Sequence, residues 1–247
     1  MVNLINLAIS KLSSVCLRVR TLVCDQGSPN PCAMKLLGVT PQKPFFFVNQ
    51  TKVFVVFDAP HLFKNVRNNL LNWQQVKFSG GVAKWCHIVQ LFEADQKQEE
   101  GIIKARTVTK LTEKHLNPVG REKISVKLAT QVFSHTVKAA LLTASKMPEI
   151  GNAAEETASF VGKMNDIFDA LNSKMLFSRN KLNCALNIEN SNVAKFLKSV
   201  IPWVNSLRVV TKNDREKVVP CFVGLALTIK SVLLLWKDLK VKTRDCY

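Results

Sequence analysis

At 247 residues with 47% hydrophobic content, the chain can bury a substantial core, which excludes disorder throughout and suits one large domain or two small ones. Thirty-five Lys and Arg against eighteen Asp and Glu give a formal charge of +17, which points to a polyanionic partner, nucleic acid first, because each neutralised phosphate releases counterions. Residues 1–75 carry eight basic and two acidic residues, net +6, leaving +11 of the +17 for residues 76–247, so no single basic tail explains the charge.

In chain order, Leu4, Ile5, Leu7, Ala8, Leu12 and Val15 recur at helical spacing over residues 4–16, and Arg20 to Cys24 then reads as a short strand ending at Asp25. Gly27, Ser28 and the prolines at 29 and 31 form a turn, with Ser28 or Asn30 able to cap a helix through Leu37. Phe45–Val48 and Val53–Phe57 are aromatic and β-branched runs separated by Asn49–Lys52, and they read as two strands and a turn. Asp58-Ala59-Pro60 opens a helix whose apolar face is Leu62, Phe63, Val66 and Leu70. A strand or loop follows at 75–85, broken by Gly80-Gly81, and beyond it the pattern predicts helices over about 86–95, 123–146, 153–175, 191–210 and 215–239. This is an α+β reading: an α/β segment to about residue 75, then a mainly helical segment over 76–247.

The seven cysteines, at 16, 24, 32, 86, 184, 221 and 246, are odd in number and include no CxxC pair, so they indicate neither a disulfide framework nor a zinc cluster; a reducing compartment is expected. His61, His87, His115 and His135 likewise lack metal-ligand spacing. The first twenty residues do not read as a signal peptide. The most apolar run, Cys221 to Trp236, contains Lys230 and reads as a buried helix, and no membrane partner is expected.

Asp25 and Asp58 are the two acidic residues of the first segment, and each follows a predicted strand. Open sheets place ligand sites beyond strand ends, where nucleases hold divalent ions on carboxylates; an aspartate there equally begins a turn or caps a helix. The run Phe57–Leu70 is dense in phosphate- and base-bonding side chains: His61, Lys64, Arg67, Asn68 and Asn69. His61, Lys64 and Asn68 share one helical face, fitted either for nucleic acid or simply for solvent.

Several blocks, in order, resemble P-element-type DNA transposases and their THAP-domain relatives: Cys24-Asp25-Gln26-Gly27-Ser28, KLLGVTPQKPFF from Lys35, FDAPHLFKNVRNNLL from Phe57, KLTEKHLNP at 110–118, KISVKLATQVFSHTV at 123–137 and FDALNSK at 168–174. The resemblance implies a partial ribonuclease-H-like catalytic core over 1–75 and a helical GTP-binding insertion over 76–247. Asp25 would be a catalytic aspartate and Mg2+ ligand, while the family's first aspartate and final glutamate find no match here, so the catalytic set is expected to be incomplete. The insertion lacks a P-loop, and no GxxxxGK[ST] occurs in this sequence. Carried over by position, the GTP contacts would be Lys110, Val126, Ser134, Phe168, Asp169 and Asn172. An aspartate can accept from guanine N1–H and its amine, an asparagine can read the carbonyl edge, a phenylalanine can stack and a lysine can meet phosphate. Without the resemblance, Asp169 and Asn172 read as an ordinary exposed helix face and Phe168 as core.

The implied partners are GTP, the DNA of transposon ends contacted through His61, Lys64, Arg67 and Asn68, and an oligomer with itself or with a full-length transposase, in the nucleus. Two alternatives stand beside this reading. One is an active metal-dependent transposase completed by Asp58, Asp238 or Asp245. The other is a non-catalytic regulatory interaction protein.

Overall fold

The structure of the chain, a computed structural model, describes residues 1–99, 107–187 and 191–244. Its helices are α1 (Val2–Ser14), α2 (Pro29–Leu36), α3 (Ala59–Trp73), α4 (Trp85–Glu99), α5 (Glu113–Leu116), α6 (Val126–Val132), α7 (His135–Ala144), α8 (Ala154–Leu171), α9 (Ser191–Ser206) and α10 (Pro220–Arg244). The strands are β1 (Thr21–Cys24), β2 (Phe45–Val48), β3 (Thr51–Phe57), β4 (Gln75–Phe78), β5 (Gly81–Lys84), β6 (Arg208–Val210) and β7 (Glu216–Lys217). The chain divides into two compact units, neither of them one continuous stretch: the first takes Met1–Leu62, Ala170–Asn205 and Pro220–Tyr247, the second Phe63–Asp169 and Ser206–Val219. Within the first unit, α10 returns from the far end of the sequence to pack on β3.

In the first unit β3 is the centre of a sheet ordered β1-β3-β2, parallel to β1 and antiparallel to β2. Its residues Val53, Phe54, Val55 and Phe57 are buried, as expected of a central strand covered by a helix. That helix is α10, which buries Phe222, Leu225, Ala226 and Ile229; burying side chains of the size of Phe, Leu and Ile contributes roughly 1.5–3 kcal/mol each. Polar contacts fix its register: the Phe57 backbone N–H donates to Thr228 Oγ1 (3.0 Å), Ser231 Oγ donates to the Pro44 carbonyl (3.4 Å), and Arg20 forms an ion pair with Asp238. At Gly224 the helix lies so close to Gln26 that a Cβ would meet its amide nitrogen at 2.3 Å. Over Pro220–Lys240, α10 is long and apolar enough to cross a membrane, yet half of that stretch is buried within the protein, as in a core helix.

The second unit holds a four-stranded antiparallel sheet ordered β5-β4-β6-β7. Alternation sends Val76, Phe78, Ala83 and Val209 inward, where Phe78 and Phe133 both meet Phe160, with ring centroids 5.8 and 5.9 Å apart. This sheet adds four short strands to a segment, 76–247, that is otherwise mainly helical. The expected helix through residue 210 ends at Ser206, where β-branched Val209 and Val210 pair as a strand, and the one expected to start at 215 starts at Pro220 after the short strand β7. The single helix expected over 123–146 is broken into a 3-10 turn (Gly120–Ile124), α6 and α7. The reason is local: Ser125 Oγ caps α6 by accepting from Leu128 N, and Ser134 Oγ caps α7 by accepting from Val137 N, both at 3.3 Å.

Candidate functional site

The C-terminal ends of β1 and β3 lie side by side. Cys24 and Phe57 are register partners in the parallel pair, and the Asp58 backbone N–H donates to the Cys24 carbonyl at 2.9 Å, so Asp25 and Asp58 leave neighbouring strand ends. Both carboxylates are engaged locally. Asp25 Oδ1 accepts from Gly27 N (2.9 Å) and Asn30 Nδ2 (2.6 Å), which closes the turn into α2. Asp58 Oδ2 accepts from His61 N (3.2 Å) and pairs with His61 Nδ1 (2.5 Å), the arrangement of a carboxylate at a helix start. Of the other carboxylates expected to complete a catalytic set, Asp238 is paired with Arg20 and Asp245 lies outside the described residues. Among the described residues no group of three or more His, Cys, Asp or Glu is arranged to hold a metal ion. Cys24, beside Asp25, offers no alternative nucleophile, since burial and the Asp25 charge push its thiol up to about 11.

The residues expected to face DNA separate. His61 is exposed, and Lys64 and Asn68 are partly exposed along α3. Arg67 departs from the expectation. It is fully buried, and its Nη2 donates to the carbonyls of Glu122 (3.1 Å) and Lys123 (3.3 Å), while Asn68 Nδ2 donates to the Lys123 carbonyl at 3.0 Å. Burial lowers the Arg67 pKa from its ordinary value. Helical spacing places Arg67 one turn beyond the buried Phe63, and the bulk of the second unit closes over both.

Five of the six residues expected to meet GTP lie in the second unit: Lys110, Val126, Ser134, Phe168 and Asp169. α3 organises two of them. Phe63 meets Phe168 edge-on with ring centroids 5.0 Å apart, and Arg67 holds the carbonyls just ahead of Val126, the first residue of α6. Ser134 caps α7, and its neighbour His135 bonds Asp166 at 3.0 Å, which brings the start of α7 beside the last turns of α8 that carry Phe168 and Asp169. Asp169 Oδ2 accepts from Asn165 Nδ2 at 2.9 Å. Lys110 is exposed on the turn before α5, which is tied to α6 through His115 and Gln131 (3.0 Å). Asn172 stands in the first unit, directly after the last residue of α8, and is exposed.

With this geometry in hand, the comparisons with known proteins decide the family. A sequence model described as "TNP-like, GTP-binding insertion domain" matches residues 60–184, half of the chain, including all six residues named for GTP. The chain belongs to this family. Among curated proteins, the transposable element P transposase of Drosophila melanogaster is 31% identical over 231 residues, covering 90% of this chain. The human DNA transposase THAP9 is 27% identical over 187 residues, or 71% of this chain. The chain spans 29% and 20% of the lengths of these two relatives. A solved structure, the Drosophila P element transposase strand transfer complex, superposes with a TM-score of 0.81 at 26% identity, over 96% of this chain and 52% of that one. The TNP-like match begins inside α3.

The second unit also holds a cleft of about 800 Å³ that the sequence did not single out, between the end of α3 and the turn joining β6 to β7. The one signal for it in the sequence is the run Asn72-Trp73-Gln74-Gln75, an aromatic ring set among carboxamides.

Proposed function

We propose that this chain is the part of a P-element-type transposase that binds GTP and associates with DNA in the nucleus, and that it does not cleave DNA alone. The observation that carries this reading is the match of the GTP-binding insertion family over 60–184, which contains every residue that the resemblance assigns to the nucleotide.

In this reading Phe168 receives the guanine ring. It is half-exposed and already braced by Phe63, so stacking on it orders little that is not already ordered. Asp169 accepts from guanine N1–H and the exocyclic amine; the bond from Asn165 takes one of its acceptor positions and leaves others. Asn172 is assigned to the guanine carbonyl edge on the resemblance alone. Ser134 and Lys110 suit phosphate, the first at the N-terminus of a ten-residue helix and the second as an exposed ammonium. Val126 lines the sugar or base side. Titration with a fluorescent guanine nucleotide tests this directly: guanine is preferred over adenine, and Asp169→Ala abolishes the preference. A folded chain that binds neither nucleotide would overturn it.

Residues 1–75 are read as part of a ribonuclease-H-like core, with the GTP-binding insertion following over 76–247. Asp25 would be one metal ligand of the complete enzyme, and no catalytic step is assigned to this chain. One observation favours a second reading, an active enzyme: Asp58 leaves the strand end next to that of Asp25. Mg2+- or Mn2+-dependent cleavage of a transposon end by the chain, lost in Asp25→Ala, would establish that second reading. Contact with DNA is assigned to His61, Lys64 and Asn68. Arg67, as a buried residue, acts on that surface only by holding the Glu122–Lys123 backbone.

A sheet of three described strands has β1 and β2 at its edges, with Val23 and Phe47 more than half exposed. Open edges invite association, so the isolated chain is expected to self-associate in sedimentation, and a clean monomer would count against that.

A further inference from the structure

The cleft of about 800 Å³ in the second unit is lined on one side by Asn72, Trp73 and Gln75 and on the other by Thr211, Lys212, Asn213 and the carboxylate of Asp214. Trp73 is only half-buried. It makes no ring contact, and the side chains of Asn72, Gln75, Lys212 and Asn213 make no hydrogen bond among the described residues. The cleft is nevertheless firmly built. Gln74 ends α3 with a φ of +65°, donates its side-chain amide to the Leu71 carbonyl (2.5 Å) and accepts from Trp85 N (2.9 Å). Opposite, Thr211 N donates to the Arg215 carbonyl (2.9 Å) and Thr211 Oγ1 accepts from Arg215 N (3.1 Å). An indole that lines the same cleft as three carboxamides and an ammonium suits a flat heteroaromatic ring with both donors and acceptors on its edge.

The sheet beside the cleft carries the complementary charge. β4, β5 and β6 send Val76, Ala83 and Val209 inward, so their alternate residues Gln75, Lys77, Lys84 and Arg208 share the outer face, with Lys77 opposite Arg208 and Gln75 opposite Lys84. With Lys212 and Arg215 at the turn, five basic residues stand here against Asp214 and Glu216; Glu216 pairs with Lys77 at 2.6 Å. A basic row leading to an aromatic cleft is the arrangement that follows a single strand: phosphates on the row, a base on the ring.

We propose that this cleft takes an unpaired nucleobase of a DNA strand whose phosphates run along the Lys77, Arg208 and Lys212 side of the sheet. The inference rests on the reading of the chain as DNA-associating and is independent of the GTP residues, none of which lines the cleft. A duplex keeps its bases stacked inside and cannot fill the site, so the signature is a preference for unpaired DNA.

The test is fluorescence anisotropy of the full chain with a labelled oligothymidylate and with a duplex of equal length, over a range of salt. Trp73→Ala weakens single-strand binding by roughly tenfold, as loss of one base–aromatic stack does, and leaves duplex binding unchanged; Trp73→Phe retains most of the affinity. Lys212→Ala lowers the salt slope on the single strand by about 0.7, one phosphate contact. Should Trp73→Ala melt at a much lower temperature than the parent, the variant Asn72→Ala/Asn213→Ala decides, because both residues are exposed. Equal losses on duplex and single strand, or no loss in a folded variant, overturn the cleft assignment alone. If the parent chain binds neither DNA, the DNA-associating reading falls as well.

Discussion

The guanidinium of Arg67 reaches out of α3 to the backbone carbonyl of Glu122 at 3.1 Å, with Lys123 beside it at 3.3 Å, so a fully buried cation fastens the segment that leads into α6. Its Nε and Nη1 find no hydrogen-bond partner among the described residues, which makes the site a costly one whose benefit is placement of the 122–126 backbone. Arg67→Ala is expected to lower the unfolding free energy by about 2–4 kcal/mol, through the cavity and the unpaired carbonyls, in urea denaturation. Where the variant still folds, its DNA affinity keeps the parent's salt slope. A slope smaller by about one contact would instead return Arg67 to the DNA surface.

Acid should loosen the second unit before its carboxylates titrate. Burial lowers the pKa values of both His87 and His115 from the ordinary 6.5. His115 Nδ1 accepts from Thr112 N at 3.1 Å, which leaves the proton on Nε2 toward Gln131, and His87 Nδ1 bonds Thr157 Oγ1 at 2.7 Å. The folded histidines bind a proton less readily than the unfolded ones, so their contribution is complete above about pH 6.5 and is lost as pH falls through the lower folded values. Unfolding free energy measured in urea therefore drops over the window just below about pH 6.5, and His87→Gln reduces the slope. A flat profile across that window would refute neutral burial of the two rings.

Gly81 begins β5 with a φ of +144°, and a Cβ there would meet the Glu156 carboxyl carbon at 2.6 Å; that carboxylate accepts the Val82 N–H at 2.7 Å. Gly81→Ala is expected to cost about 1–3 kcal/mol in thermal or urea unfolding. Adding Glu156→Ala relieves the collision but not the backbone strain, so it restores none of the strain component.

Thr228 on α10 accepts from Phe57 N at 3.0 Å, in buried surroundings at the end of β3. Valine keeps the shape and removes the acceptor, so Thr228→Val should destabilise by about 1–3 kcal/mol, whereas Thr228→Ser, which keeps the hydroxyl, should cost less. Equal losses in the two variants would assign the effect to packing.

Much of the local structure was legible in the sequence. The strands ending at Cys24 and Phe57, the helix opened by Asp58-Ala59-Pro60 and the buried character of 221–236 follow from short-range rules: alternation, helix caps and apolar runs. The family was legible as well, because the matching blocks keep their order whatever the chain does in three dimensions. Helical spacing also grouped Lys64 and Asn68 correctly on a partly exposed part of α3. What spacing could not give is what lies opposite a residue. Arg67 has the composition of a surface cation and is buried because residues 122–123, far away in sequence, supply its acceptors. Val209 and Val210 continue an apolar helix pattern and become a strand because β4 offers them a hydrogen-bonding edge. The cleft at Trp73 exists only because a turn more than a hundred residues away closes its other side. Sequence determined the elements whose partners are near in the chain; the tertiary structure decided every residue whose burial or pairing depends on distant chain, since that contact is made only when the fold brings the two stretches together.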